Sequence, residues 1–263
     1  MLFNTKFDLV LPLGEDCACS SYLRRFVLQD YSYPFDWLAK SNFTARIELI
    51  VNNFDGFLEK SDLYEIPKPE HLQSDKYCRY FADRKFDFCY YHDFSANLPF
   101  ERAYKETKEK YQRRIERMYK KINSSDKILF AYWSRDKFNR LKEEDLTKAY
   151  DKLSNKFGAD KIYLLIIEYS SREENIYLKD NHILIARFDN LSQKDNSPKS
   201  NVLGNIKNNN KIFKQIYKKR QLSWIIKYVI FKINKFFIGL IPIKELRQKL
   251  RSELKFKFDR AKI

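Results

Sequence analysis

Short apolar runs alternate with amphipathic helical segments along residues 1–190, and this alternation limits the possible folds more than any other feature of the sequence. The strand candidates are residues 7–13, 127–133, 161–168 and 182–188, and the helix candidates are residues 17–28, 42–51, 101–122 and 143–157. Strands that alternate with helices usually form a parallel sheet with helices on both of its faces. We therefore expect a three-layer α/β fold, with a largely parallel sheet, over residues 1–190.

Two further segments, residues 77–81 and 86–92, have the composition of strands, with a charged turn between them. Ligands of parallel α/β sheets bind beyond the carboxyl ends of the strands. If all the strands share one sheet, four polar strand ends meet at one edge. They are residues 14–17, residues 92–93, residues 134–136 and Glu168.

Cys17 is a candidate nucleophile because it lies where the first predicted strand turns into a helix. The free amides and the dipole at a helix N-terminus stabilise an anion, so a thiol there ionises more readily. His92 follows a predicted strand and is the candidate general base, and Asp93, Asp36 or Asp136 is the candidate that orients it. The alternative is a small core cysteine and a buried histidine with no catalytic role.

Five sequence elements resemble a bacterial family described as papain-like cysteine peptidases. They are LGEDCACS (13–20), LR (23–24), SYPFDW (32–37), YHDF (91–94) and LFAY (129–132). The resemblance implies that Cys17 is the nucleophile and His92 the base, and that the gene lies among genes for surface polysaccharide. Papain-like folds place the cysteine on a helix and the histidine on a following antiparallel sheet, whereas this sequence keeps inserting helices between its strands.

Other polar and aromatic residues near the predicted strand ends are candidates for substrate binding. They are Glu15, Asp16, Trp37, Arg135 and Asp136. Trp37 alternatively packs on the core, and Arg135 alternatively forms an ion pair with Asp136. The substrate is a polysaccharide intermediate or a peptide, and the reaction alternatives are a thiol hydrolase and an acyl or phospho-group transferase. A non-catalytic adaptor is the third alternative.

The formal charge of +16 is concentrated at one end of the chain. Residues 205–263 hold 17 Lys and Arg and three acidic residues, a net charge of +14, which leaves +2 for the remainder. Residues 219–241 place basic side chains on one half of a helix and apolar ones on the other, which is typical of helices that lie in a membrane interface. The ending IPIKELRQKLR (241–251) resembles those of bacterial enzymes that assemble lipopolysaccharide or capsule.

We therefore predict a linker at residues 191–210 and a basic amphipathic tail at residues 211–263 that binds an anionic membrane surface. The predicted membrane-binding residues are Trp224, Lys227, Lys232, Lys235, Arg247 and Arg251. Each basic residue contributes on the order of 1 kcal/mol at such a surface. Alternatively the apolar face docks on the domain's own core. Nucleic acid is not an expected partner, since the tail is apolar and the domain nearly neutral.

The first residues lack the pattern of a secretory signal, so we expect a cytoplasmic protein, peripheral on the inner membrane, with its four cysteines reduced. Cys17 and Cys19 are one residue apart, no C-x-x-C pair occurs, and the three histidines do not cluster with the thiols. We therefore predict neither a metal nor a cofactor. No apolar run free of charges is long enough to span a bilayer.

Overall fold

The computed structural model describes residues 3, 5–15, 17–40, 42–69, 75–134, 141–171, 175–189, 206–219 and 222–260. The chain forms two compact units, Met1–Tyr217 and Lys218–Ile263. The strands are β1 (Leu9–Pro12), β2 (Leu38–Lys40), β3 (Leu63–Glu65), β4 (Cys78–Asp83), β5 (Phe88–Ser95), β6 (Ile128–Trp133), β7 (Ile162–Ser171), β8 (Asn175–Lys179) and β9 (Ile183–Asp189). The helices are α1 (Cys17–Arg25), α2 (Phe43–Val51), α3 (Phe100–Asn123), α4 (Glu143–Phe157), α5 (Ile206–Phe213), α6 (Leu222–Gly239) and α7 (Lys244–Arg260).

The first sheet has the strand order β1-β6-β7-β9-β8, and every pair in it is parallel except the edge pair of β8 with β9. The strands β1 and β6 are buried on both faces, which explains why the sequence shows continuous apolar runs there. Side chains on one face pack with α1 and α5, and side chains on the other pack with α2, α3 and α4. The predicted three-layer α/β class with a largely parallel sheet is confirmed.

The second sheet is antiparallel, with the strand order β2-β5-β4-β3. A short turn joins β4 to β5, so the two strands can only pair as a hairpin. Tyr111 of α3 packs on this sheet, with its ring centroid 6.1 Å from that of Tyr90. The prediction that residues 92–93 end a strand of the parallel sheet is wrong, because His92 lies inside β5 of the second sheet.

The first unit extends past residue 190, where we placed the end of the α/β domain. Ile212 and Phe213 of α5 and the following Ile216 are buried against the first sheet. The backbone amide of Phe7 donates to the carbonyl oxygen of Tyr217 over 2.8 Å. Most of the predicted linker, residues 191–210, lies outside the described residues.

The second unit consists of α6 and α7, which residues 240–243 connect. Large apolar side chains of α6 recur every three or four residues and are exposed, from 42% for Ile225 to 65% for Phe236. None of the described helices is both long enough and apolar enough to cross a membrane. Both segments are helical, as the sequence predicts for this part of the chain.

Gly14 allows α1 to approach the end of β1 closely. A Cβ atom at this position would lie 2.3 Å from the Cβ of Cys19, whose thiol contacts the carbonyl oxygen of Ala131 at 3.2 Å. We expect Gly14→Ala to reduce the free energy of unfolding by about 1–3 kcal/mol, because α1 must shift. Urea denaturation measures this loss.

Gly239→Ala is the matched control, because the nearest atom to its Cβ would be the end of the flexible Arg251 side chain at 3.4 Å. Alanine there should leave the stability unchanged or raise it slightly. An unchanged urea midpoint for Gly14→Ala would show that α1 does not depend on this close approach.

Candidate active site

Cys17 is the first residue of α1 and is half-exposed. Its helix buries Ala18, Cys19, Tyr22 and Leu23, and these residues fix the helix on the first sheet. The first amides of a helix have no partner within the helix, so they present a partial positive charge at its N-terminus. Cys17 therefore lies at the start of a helix, where the sequence placed it, and stabilisation of its thiolate stays a prediction.

The turn that precedes β2 lies against α1. The hydroxyl oxygen of Ser20 lies 3.1 Å from the carbonyl oxygen of Asp36 and 3.3 Å from that of Cys17. Arg24, one helical turn further along, forms an ion pair with the Asp36 carboxylate, and its guanidinium lies 5.6 Å from the ring centroid of Trp37. Residues 17, 20 and 24 follow helical spacing, so the face of α1 that carries the thiol also holds this turn.

Asp36 is fully buried, and its carboxylate is engaged on several sides. The side-chain nitrogen of Gln29 lies 2.8 and 2.9 Å from its two oxygens, and Arg24 pairs with one of them. Burial raises the pKa of Asp36, while Arg24, Arg114 and the Gln29 hydrogen bond act in the opposite direction. The Asp36 carboxylate is thus paired with Arg24 and Gln29. Asp36 therefore anchors the turn and does not contact the imidazole of His92.

His92 lies in an irregular part of β5. Arg79 and Phe81 of β4 are two positions apart, but the residues of β5 that pair with them, Phe94 and Tyr90, are four positions apart. β5 therefore carries two additional residues here. Phe88, Tyr90 and Phe94 are fully buried, so strict alternation would bury residue 92 as well. Instead the bulge turns the imidazole to the exposed surface.

The imidazole of His92 packs against Trp37. The two ring centroids are 5.7 Å apart and the rings are nearly perpendicular, at 80°. Trp37 is therefore in contact with Arg24 from α1 and with His92 from β5. The structure brings the histidine and the helix of Cys17 to the same turn.

Asp93 faces the opposite direction from His92. Its carboxylate accepts a hydrogen bond from the Tyr111 hydroxyl over 3.0 Å and pairs with Lys110 at 2.7 Å, both on α3. Only 2% of its side chain is exposed. The structure thus places Asp93 with α3, not beside the imidazole that we expected it to orient, because successive side chains of a strand point to opposite faces.

Glu15 lies at the carboxyl edge of the first sheet, where we predicted polar strand ends. Its carboxylate accepts hydrogen bonds from the hydroxyls of Tyr132 and Ser134. Burial raises the pKa of Tyr132, and the charge of Glu15 adds to this effect. Glu168 lies within β7, three residues before its end at Ser171, so the strand end that we predicted there is wrong, and it pairs with Arg187 of β9 at 2.9 Å. The two carboxylates therefore link neighbouring strands.

Several predicted residues lie outside the described part of the chain, namely Asp16, Arg135 and Asp136. Trp224 and Lys227 lie on α6, but their side chains are also outside it. Lys232, Lys235 and Arg251 are exposed, and Arg247 donates to the carbonyl oxygen of Ile241 over 3.0 Å. Among the described residues, no three His, Cys, Asp or Glu side chains form a group that could hold a metal ion.

Sequence reasoning missed the role of Ser20 and Gln29, and it used Arg24 only as part of a motif. The signal available was the helical spacing of Cys17, Ser20 and Arg24, which predicts one shared face. What that face contacts could not be read from spacing, because the turn at Asp36 reaches it only in the folded chain.

Comparison with known proteins identifies relatives of this chain. A protein family with the description "putative papain-like cysteine peptidase" matches residues 8–170, which include Cys17, Trp37 and His92. An uncharacterized protein of Acanthamoeba polyphaga mimivirus is 31% identical over 158 residues, which cover 55% of this chain and 70% of that protein. No solved structure matches the chain. Because this relative is viral, the bacterial origin stays a prediction.

Breaking the ion pair of Arg24 with buried Asp36 should cost stability. Removing one partner of a buried pair leaves the other charge without compensation, so we expect Arg24→Met to lower the free energy of unfolding by about 3 kcal/mol. In the double variant Arg24→Met, Asp36→Asn, part of this loss should be recovered, since no carboxylate is left unpaired. Urea denaturation of the four proteins of this cycle measures both effects.

Arg79→Met is the matched control, because its partner Glu65 is about half exposed. The loss of an exposed pair should be less than about 1 kcal/mol. Equal losses for Arg24→Met and Arg79→Met would contradict the anchoring role of Asp36.

Proposed function

This chain belongs to the family described as papain-like cysteine peptidases, and from that membership we propose that it is a thiol-dependent hydrolase with Cys17 as nucleophile and His92 as general base. The observation that carries the proposal is the turn at residues 34–37. It contacts the helix of Cys17 through Ser20 and Arg24, and it contacts the imidazole of His92 through Trp37.

The proposed reaction has two steps. In the first, His92 accepts the proton of the Cys17 thiol, the thiolate attacks the carbonyl carbon of the substrate, and the imidazolium returns the proton to the leaving amine or alcohol. In the second, His92 takes a proton from water, the resulting hydroxide attacks the thioester, and the leaving thiolate takes that proton back from the imidazolium, which restores the thiol and the neutral imidazole. The amides at the start of α1 stabilise the thiolate.

The second sheet supports a papain-like arrangement. In a papain-like arrangement, a cysteine begins a helix and a histidine lies on an antiparallel sheet later in the chain. The sequence pattern of alternating strands and helices did not suggest this arrangement. Here α1 begins with Cys17, and His92 lies on β5 of the antiparallel sheet. The bulge in β5 exposes the imidazole, which a general base needs in order to reach a substrate.

We further propose that the enzyme works at the cytoplasmic face of a membrane on an intermediate of envelope polysaccharide assembly. The exposed apolar side chains of α6 and the net charge of +14 on residues 205–263 support binding to an anionic lipid surface. The resemblance to proteins encoded among polysaccharide genes supports the substrate class. Incubation of the purified chain with acylated, lipid-linked oligosaccharides, followed by mass spectrometry, tests for hydrolysis or acyl transfer.

The pH dependence of alkylation tests the role of Cys17. We expect iodoacetamide to modify Cys17 well below the pH at which it modifies Cys78, since His92 and the helix N-terminus favour the Cys17 thiolate, whereas burial and the charges of Asp75 and Asp93 raise the pKa of Cys78. Both cysteines are half-exposed, so Cys78 is a control within the same molecule. Mass spectrometry of the two peptides gives each rate.

The variant His92→Ala should slow the alkylation of Cys17 at about pH 6.5 on the order of tenfold and leave Cys78 unchanged. If Cys17 is alkylated at the rate of a free thiol both in the wild type and in His92→Ala, the result favours the non-catalytic adaptor. If Cys17→Ser retains most of the activity on the oligosaccharide substrates, the proposed hydrolase is wrong. A transferase that forms no covalent intermediate would then explain the activity.

Sedimentation with phosphatidylglycerol-containing vesicles tests the membrane proposal on the full chain. We expect Lys232→Ala, Lys235→Ala to weaken binding about 30-fold, because each basic residue contributes on the order of 1 kcal/mol. The matched control is Lys105→Ala, Lys120→Ala, which removes two exposed lysines from α3. Equal affinities for the two double variants would refute a specific role of α6.

A further inference from the structure

We infer that Trp37 is a positioning residue that holds the His92 imidazole, and that the Arg24–Asp36 ion pair acts on the imidazole through Trp37. This inference rests on the proposed function, in which His92 is the general base. It concerns how an exposed histidine is held at the site when neither Asp93 nor Asp36 contacts its ring.

The requirement for a positioning group follows from the bulge in β5. The bulge turns His92 out of the core to the exposed surface, where the surrounding core no longer fixes its side-chain torsions. Asp93 is engaged by Lys110 and Tyr111, and Asp36 by Arg24 and Gln29. A general base must be held in one orientation to take a proton efficiently, so another contact has to restrict this imidazole.

Trp37 supplies that contact. Its ring meets the imidazole at 80°, with 5.7 Å between centroids, which is a favourable arrangement for two aromatic rings. The guanidinium of Arg24 lies 5.6 Å from the same ring centroid, within the range of a cation–π interaction. The indole is therefore held by a cation from α1 while it contacts the imidazole from β5.

The indole in turn depends on Asp36, its neighbour in the chain. The buried carboxylate fixes Arg24, and the carbonyl oxygen of Asp36 lies 3.1 Å from the hydroxyl of Ser20. Because Cys17, Ser20 and Arg24 share one face of α1, the same turn aligns the helix of the thiol and the ring of the base. Displacement of Trp37 should therefore change the position of His92 relative to Cys17.

Trp37 could instead form part of a substrate-binding surface, and a small probe separates the two roles. Iodoacetamide reacts with the thiolate and is too small to need an aromatic binding surface. If Trp37 acts only on a larger substrate, its replacement leaves the alkylation of Cys17 unchanged. If Trp37 positions His92, its replacement lowers the part of the alkylation rate that depends on His92.

The experiment compares Trp37→Leu and Trp37→Phe in the full chain. We expect Trp37→Leu to lower the His92-dependent rate of Cys17 alkylation at about pH 6.5 by on the order of 10-fold, and to move the pH profile toward that of His92→Ala. Trp37→Phe should keep the larger part of the rate, because it preserves a ring against the imidazole. Arg24→Lys should fall between the two, since lysine keeps the charge but not the planar group.

Phe100→Leu is the matched control. Phe100 is also a half-buried ring next to the second sheet, with Lys60 and Arg79 near its face, but its ring contacts are with Phe81, Phe94 and Tyr104. Its replacement should leave the pH profile of Cys17 unchanged. A profile shifted equally by Phe100→Leu and Trp37→Leu would overturn the inference, because general loosening of the sheet would then explain both.

NMR spectra of the His92 ring protons distinguish failure of this inference from failure of the proposed function. Loss of the Trp37 ring current should shift the His92 signals in Trp37→Leu, and greater ring mobility should change their line widths. Shifted signals without any His92 dependence of the wild-type alkylation would refute the proposed function and leave the contact intact. Unshifted signals, or an unchanged alkylation profile in folded Trp37→Leu, would overturn the positioning role. If Trp37→Leu does not fold, an unchanged alkylation profile in Arg24→Lys overturns it instead.

Discussion

A fully buried carboxylate must be compensated, and the way in which this chain compensates Asp36 arranges the candidate site. Arg24 and Gln29 come from α1 and the loop after it, so pairing with them draws the turn at residues 34–37 onto the thiol-bearing helix. The cost of leaving such a charge unpaired is several kcal/mol, which is a large part of the stability of a domain. The position of Trp37, next in the chain, follows from this pairing.

The second constraint is the register of β5. Two additional residues opposite Arg79–Phe81 interrupt the alternation of buried and exposed side chains, so His92 emerges at the surface while Phe94 returns to the core. A bulge of this kind exposes one side chain without breaking the strand. The site therefore combines a helix N-terminus from the parallel sheet with a redirected histidine from the antiparallel one, and a single turn contacts both.

The sequence predicted the long elements well because their patterns extend over many residues. The strands at residues 128–133 and 162–171 and the helix Glu143–Phe157 lie close to where apolar runs and helical periodicity placed them, although the second strand continues three residues past its predicted end. The strands β2 and β3 have three residues each, which is too short for a period to show, and the helix Ile206–Phe213 lay in a segment whose Asn and Lys content suggested a linker. Without β2 as a partner for β5, a separate antiparallel sheet could not be inferred.

The sequence by itself determined the α/β class, the concentration of charge at one end, and Cys17 and His92 as the residues to consider, since these follow from periodicity, composition and local motif. Only the tertiary structure decided which side chains meet. Asp93 and Asp36 are close to the site in sequence, yet one pairs with α3 and the other with Arg24 and Gln29, whereas Trp37 contacts the imidazole. The physical reason is that a side chain's direction depends on strand register and on the pairing of buried charges, and both are set by partners far away in the chain.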